Sequence, residues 1–196
     1  MESKTKNTIK KIIYGILFIA MVVAFVYLSE KYADNSNPKV FTINDYYPNI
    51  KTDKFEVIRG QKFASLIKNS KSIIFVGSGT SKYSEKYISL LEEILTNNDI
   101  DKIYYYDINN DKSQKNSNYY NIRELLNGYL ITTDGSNNNL LAPSLYIIDN
   151  GKVKYYNIET VAMKNTDSLE DYWTTDEEKR FKEEVIDAIE KYYLNK

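Results

Sequence analysis

Cysteine and histidine are both absent from this 196-residue chain. Without cysteine there is no disulfide and no thiolate metal site. Without histidine there is no imidazole ligand and no imidazole base to activate a nucleophile. Proton transfer is left to carboxylates, lysine and tyrosine. Proline and glycine are scarce, at 3 and 7 residues, so each proline is informative by its place: Pro38, Pro48 and Pro143. An excess of charge of one sign is missing as well. The 26 basic and 27 acidic residues leave a net charge of -1, and no basic stripe lies beyond residue 28, so nothing electrostatic points to a nucleic-acid partner. No metal or other cofactor is implied.

A 42% hydrophobic content with both charge signs interspersed is what a folded core requires. The longest apolar run, residues 12–28 ("IIYGILFIAMVVAFVYL"), carries no charge. At about 1.5 Å per helical residue it reaches roughly 26 Å, close to the hydrocarbon thickness of a bilayer. Lys4, Lys6, Lys10 and Lys11 precede it against a single Glu2, whereas the far flank is mixed. The positive-inside rule then places residues 1–11 in the cytoplasm and the remainder outside, with the membrane as a partner through residues 12–28. A cleaved secretion signal and a buried core helix are the alternatives. The first calls for small residues at a cleavage site, and no A-x-A follows Leu28.

Residues 29–54 are polar, contain Pro38 and Pro48, and read as a stalk. From residue 55 to 196 apolar runs and helical spacings alternate, the mark of an α/β domain. Phe55–Ile58 predicts a strand, and Phe63, Leu66 and Ile67 a short amphipathic helix. "SIIFVG" is a continuous apolar run, as in a strand buried on both faces. Tyr83, Tyr87, Leu90, Leu91 and Ile94 mark the helix after it, and "KIYYYD" the next strand. A second helix is expected between Asn118 and Leu130. "SLYII" and "KVKYYNI" flank Asn150-Gly151, a hairpin signal. Thr175 and Glu178 have capping-box spacing ahead of Phe181, Val185, Ala188 and Ile189, so the chain closes with a helix. "DINNDKSQKNSN" has part of a calcium-loop pattern, but Lys112 stands at the turn glycine and Asn118 at the final acid. It is read, like "DGSNNN" at Asp134, as a solvated loop.

Between the buried strand and its helix stands "GSGTSKYSEKY", with Ser81 and Ser84 three apart. The stretch "IIFVGSGTSKYSEKYISLLEEI" resembles the active-site segment of thioredoxin-like proteins, in which an apolar strand leads into G-S-x-T-C-x-Y-C and a helix. Here Ser81 and Ser84 stand at the two cysteine positions. "LLAPSLYIIDNGKV" resembles the element of that family in which a cis-proline precedes a hairpin. The resemblance implies a thioredoxin-like fold, a central mixed sheet flanked by helices, over roughly residues 55–193. It also implies a cis bond at Ala142-Pro143 facing the Ser81–Ser84 loop. Together with the N-terminal anchor it points to the membrane-linked members of Gram-positive bacteria often labelled bacteriocin transport accessory proteins. The family's buried acid falls at Phe75 in this chain.

A serine oxygen can neither attack a disulfide nor resolve one. Lys82 adjoins Ser81 and Lys86 lies two beyond Ser84, and neither spacing is S-x-x-K. Ser81 or Thr80 is expected to cap the helix, with Ser84 a small polar residue in its first turn. The expected function is therefore non-catalytic. Thr80, Ser81, Lys82, Tyr83, Ser84, Ala142 and Pro143 would form a groove that holds an extended polypeptide by strand addition, in an accessory to export or envelope assembly. Two alternatives stay open: a thiol-disulfide oxidoreductase whose CxxC has been changed to SxxS, and a structural subunit of an envelope complex that makes no use of the groove.

Overall fold

The computed structural model describes residues 14–15, 17–24, 40–114, 116–133, 136–164, 166 and 168–194. The chain divides into two compact units, Met1–Val40 and Phe41–Lys196. In the first, residues 14–15 and 17–24 are helical, and apolar side chains such as Leu17, Phe18, Ile19 and Val23 are exposed. Among the described residues no helix is long and apolar enough to cross a membrane. The basic residues 1–11, the remainder of the 12–28 run and the stalk residues 29–39 lie outside the described residues.

The second unit is α/β. Its elements are β1 (Phe55–Ile58), α1 (Gly60–Asn69), β2 (Lys71–Gly77), α2 (Lys82–Asn97), β3 (Ile103–Asp107), α3 (Ile108–Ser113), α4 (Ser117–Leu125), β4 (Ile131–Thr133), β5 (Ser136–Asn139), β6 (Ser144–Asp149), β7 (Lys152–Asn157), α5 (Thr160–Lys164), α6 (Leu169–Tyr172) and α7 (Thr175–Ile189). Five strands form one mixed sheet in the order β1-β3-β2-β6-β7, and β4-β5 is a separate hairpin. β3 runs parallel to both β1 and β2, while β6 is antiparallel to β2 and β7.

Burial on both faces explains the unbroken apolar run of β2. Ile73 and Phe75 point into a core with Tyr87 and Leu91 of α2 and Phe181 and Val185 of α7. Ile74 and Val76 point the other way, toward Phe63 and Ile67 of α1 and Ile122 of α4. The β6–β7 turn follows from Asn150 and Gly151, at φ 44° and 82°, a left-handed pair that this dipeptide tolerates.

Four expectations are corrected. Residues 41–54 are not a free stalk: Ile43, Tyr47 and Ile50 are buried in the core, so the compact unit begins at Phe41. "DINNDKSQKNSN" is not all loop, because Ile108–Ser113 is a helix whose Ile108 is buried. Part of "DGSNNN" lies in a strand, β5, paired with β4. The cap of α7 is Thr174, one residue earlier than expected. Its hydroxyl accepts from the Glu177 N–H at 3.3 Å, and Thr175 already belongs to the helix.

Two register positions place the site. Gly77 pairs with Asp107, and Val76 with Ser144. The C-terminal ends of β2 and β3 and the start of β6 therefore meet at one edge of the sheet. The loop Ser78–Ser81, the β3–α3 junction and Ala142-Pro143 all emerge there.

Candidate functional site

A groove of about 210 Å³ opens at that edge, lined by Ser78, Ser81 and Tyr83, by Ile108, Asn109 and Lys112, and by Leu141, Ala142 and Thr160. The Ala142-Pro143 bond is cis, as the resemblance implies. Of the seven residues read from the sequence, Ser81, Tyr83 and Ala142 line the groove. Thr80 is exposed at φ 66°, and its N–H donates to the Tyr46 carbonyl at 3.3 Å. Lys82 opens α2 with an exposed side chain, and Pro143 is buried behind Ala142.

Ser81 occupies the N-cap position of α2, but its side chain makes no capping hydrogen bond, and Thr80 does not cap the helix either. Ser84 is more than a small residue in the first turn. It is fully buried at 0% exposure, and its hydroxyl oxygen accepts the Ser78 N–H at 3.0 Å. The two serines thus differ in kind: one lies at the groove surface, the other is a structural peg beneath it.

Beneath the loop lies a polar network that the sequence reading missed. The Tyr47 hydroxyl donates to the Ser78 carbonyl at 2.8 Å and lies 3.1 Å from the Tyr105 hydroxyl. Tyr105 donates in turn to Asp107 Oδ2 at 3.2 Å. The same carboxylate takes the Gly79 N–H at 2.6 Å through Oδ2 and the Asn109 N–H at 2.7 Å through Oδ1. Asn109 closes the ring, accepting from the Ser78 hydroxyl at 2.9 Å and donating to the Gly79 carbonyl at 3.3 Å. Burial pushes the Tyr47 phenol up to about 12, against the opposing effect of its hydrogen bonds with Tyr105 and Ser84. Burial also raises Tyr105, and the neighbouring Tyr47 and Asp107 push in the same direction. Both phenols therefore stay protonated at neutral pH and act as hydrogen-bonding groups.

A second polar cluster fixes the other wall. The Thr160 hydroxyl donates to the Pro143 carbonyl at 2.7 Å. Its neighbour Glu159, only 5% exposed, accepts from both Tyr172 and Arg180, the latter at 3.1 Å. Glu159 also takes Asn157 Nδ2 at 2.8 Å, and Asn157 accepts the Tyr87 hydroxyl at 2.7 Å. These donors satisfy the buried carboxylate oxygens, which would otherwise lack hydrogen-bond partners.

Phe75 is fully buried and stacks on Tyr87 with ring centroids 5.1 Å apart. The site therefore presents neither sulfur nor a buried acid at the position where the resemblance expects one. What it offers is hydroxyl and amide groups, an apolar wall of Ile108, Leu141 and Ala142, and one cation, Lys112. Among the described residues no group of three or more acidic side chains converges to hold a metal ion. A residue such as Asp107 has a signal in hindsight: it ends a buried strand next to the loop-bearing one. Tyr47 has none, because its contacts are made with residues far along the chain.

No family model and no curated protein match this chain. Among solved structures, thioredoxin O2 from Arabidopsis thaliana in its oxidized state is similar over 57% of this chain and 89% of its own, at 16% identity and a TM-score of 0.34.

Proposed function

We propose that this protein is a cysteine-free, thioredoxin-like binding module of the extracytoplasmic side of a Gram-positive membrane. Residues 12–28 anchor it, and the unit Phe41–Lys196 holds an extended polypeptide as a non-catalytic accessory to export or envelope assembly, of the bacteriocin transport accessory kind. The observation that carries this reading is the groove beside Ala142. The β2–β6 ladder begins at Val76↔Ser144, so the peptide groups of Ala142 stand outside it, at the groove. Backbone placed this way suits strand addition, in which main-chain hydrogen bonds hold the ligand and side-chain pockets select it. The mode requires no sulfur. The exposed apolar helical residues 17–24 support the anchor, since a lipid environment would cover what water leaves bare.

Replacement of Tyr83 or Pro143 by alanine in the full chain tests the reading. Polypeptides that co-purify with the membrane-extracted protein should be lost or weakened in both variants. Retention of every partner at full yield would overturn it.

A further inference from the structure

We propose that the segment Phe41–Ile50, with which the second compact unit begins, is the positioning element of the groove loop, with Tyr47 as its principal contact. The inference rests on the groove reading for its functional meaning and on hydrogen-bond geometry for its substance. Three loop residues, Ser78, Gly79 and Thr80, lie between β2 and Ser81, and the segment hydrogen-bonds to two of them. The Tyr47 hydroxyl holds the Ser78 carbonyl at 2.8 Å, and the Tyr46 carbonyl holds the Thr80 N–H at 3.3 Å. The residue between them is confined by the same segment from the side. A Cβ on Gly79 would lie 3.0 Å from Tyr46 Cδ1 and 2.5 Å from Asp107 Oδ2.

Packing alone does not account for a tyrosine at 47. Its ring meets Tyr105 edge-on at 5.9 Å, and the segment is seated in the core by Ile43 and Ile50. A phenylalanine would fill that space equally well. The hydroxyl is what reaches the loop, and burying it without partners would be unfavourable. It has three neighbours, Ser78, Tyr105 and Ser84, two of which belong to the loop and the first turn of α2. The groove's Ser81 therefore sits on a support contributed by the chain's approach from residue 40, and not only by the sheet.

Amide hydrogen exchange of the full chain in detergent micelles tests this without any ligand. In Tyr47→Phe the amides of Gly79 and Thr80 should exchange about tenfold faster, the size of one lost hydrogen bond, while those of Ile73 and Ile147 in the central strands stay unchanged. Tyr172→Phe, which removes a buried phenol from the other cluster, should leave the loop amides as they are. Ile43→Ala, which trims the segment's own seat and keeps the Tyr47 hydroxyl, should also loosen the loop first. Unchanged loop amides in Tyr47→Phe and Ile43→Ala, or an equal rise in loop and strands, would overturn the assignment. A groove that binds nothing would leave the expected exchange pattern intact, so the two readings fail separately.

Discussion

Ser81 and Ser84 occupy equivalent places in a sequence motif and different places in the molecule. Ser84 is sealed under the loop as the acceptor of the Ser78 N–H, whereas Ser81 stands at the groove without a capping hydrogen bond. Replacing Ser84 by alanine leaves the part-buried Ser78 N–H without its partner and should cost about 1 kcal/mol or more in urea unfolding. Replacing Ser81 by alanine should cost less than about 0.5 kcal/mol, as for a surface side chain without a cap bond. Equal losses would show that the two hydroxyls are equivalent after all. The sequence places both residues at the mouth of α2, but it does not distinguish them. The distinction depends on Tyr47, which lies 31 residues upstream of Ser78 and reaches the loop only once the core has formed.

At the scale of elements, the parts readable in the sequence are those whose pattern is dictated by burial. β2 and β6 are continuous apolar runs because both their faces are covered, and α2 shows its buried stripe at Tyr87, Leu91 and Ile94. The β6–β7 turn is readable because Asn-Gly accepts the left-handed backbone there. The parts misread are polar: α3 and β5 hold few apolar residues, and tertiary context decides their form. Residues 41–50 were misread for a related reason. Ile43, Tyr47 and Ile50 are too sparse, in a stretch with Pro48, to declare a buried face. Gly79 gives the loop its most sensitive position, because an added Cβ meets the Asp107 carboxylate, which three donors hold in place. Gly79→Ala should shift the loop and abolish groove binding while the far-UV circular dichroism of the sheet and helices persists. Gly151→Ala, at φ 82° on the remote turn, should lower stability by about 1 kcal/mol and leave binding unchanged. The reverse pattern, binding lost at 151 and kept at 79, would place the site elsewhere.

At the scale of the whole molecule, the core is built on tyrosine. Tyr47, Tyr87, Tyr105, Tyr106 and Tyr146 are among its largest fully buried side chains, and burial raises the pKa of each. A tyrosine whose folded pKa lies above its unfolded value of about 10 is protonated in both states below that pH, and its stabilising effect is complete there. As pH rises from about 10 through the folded value, about 12 for Tyr47, the unfolded chain ionises first and stability falls. Chemical denaturation at pH 9 and pH 11.5 should therefore show a marked loss at the higher pH. Tyr47→Phe should reduce that loss, and a flat profile across this window would contradict the burial argument.

The central claim is that a fold of this kind, without cysteine, uses its groove to hold a polypeptide. The most direct measurement is photo-crosslinking in cells from a reactive residue placed at position 83 of the full chain. The comparison is position 179, an exposed lysine on α7 that is not part of the groove lining. The account predicts polypeptide adducts from position 83, with the crosslinked peptide extended beside Ala142, and none of these adducts from position 179. Adducts common to both positions, or none from position 83, would contradict it and favour a structural subunit whose groove is unused.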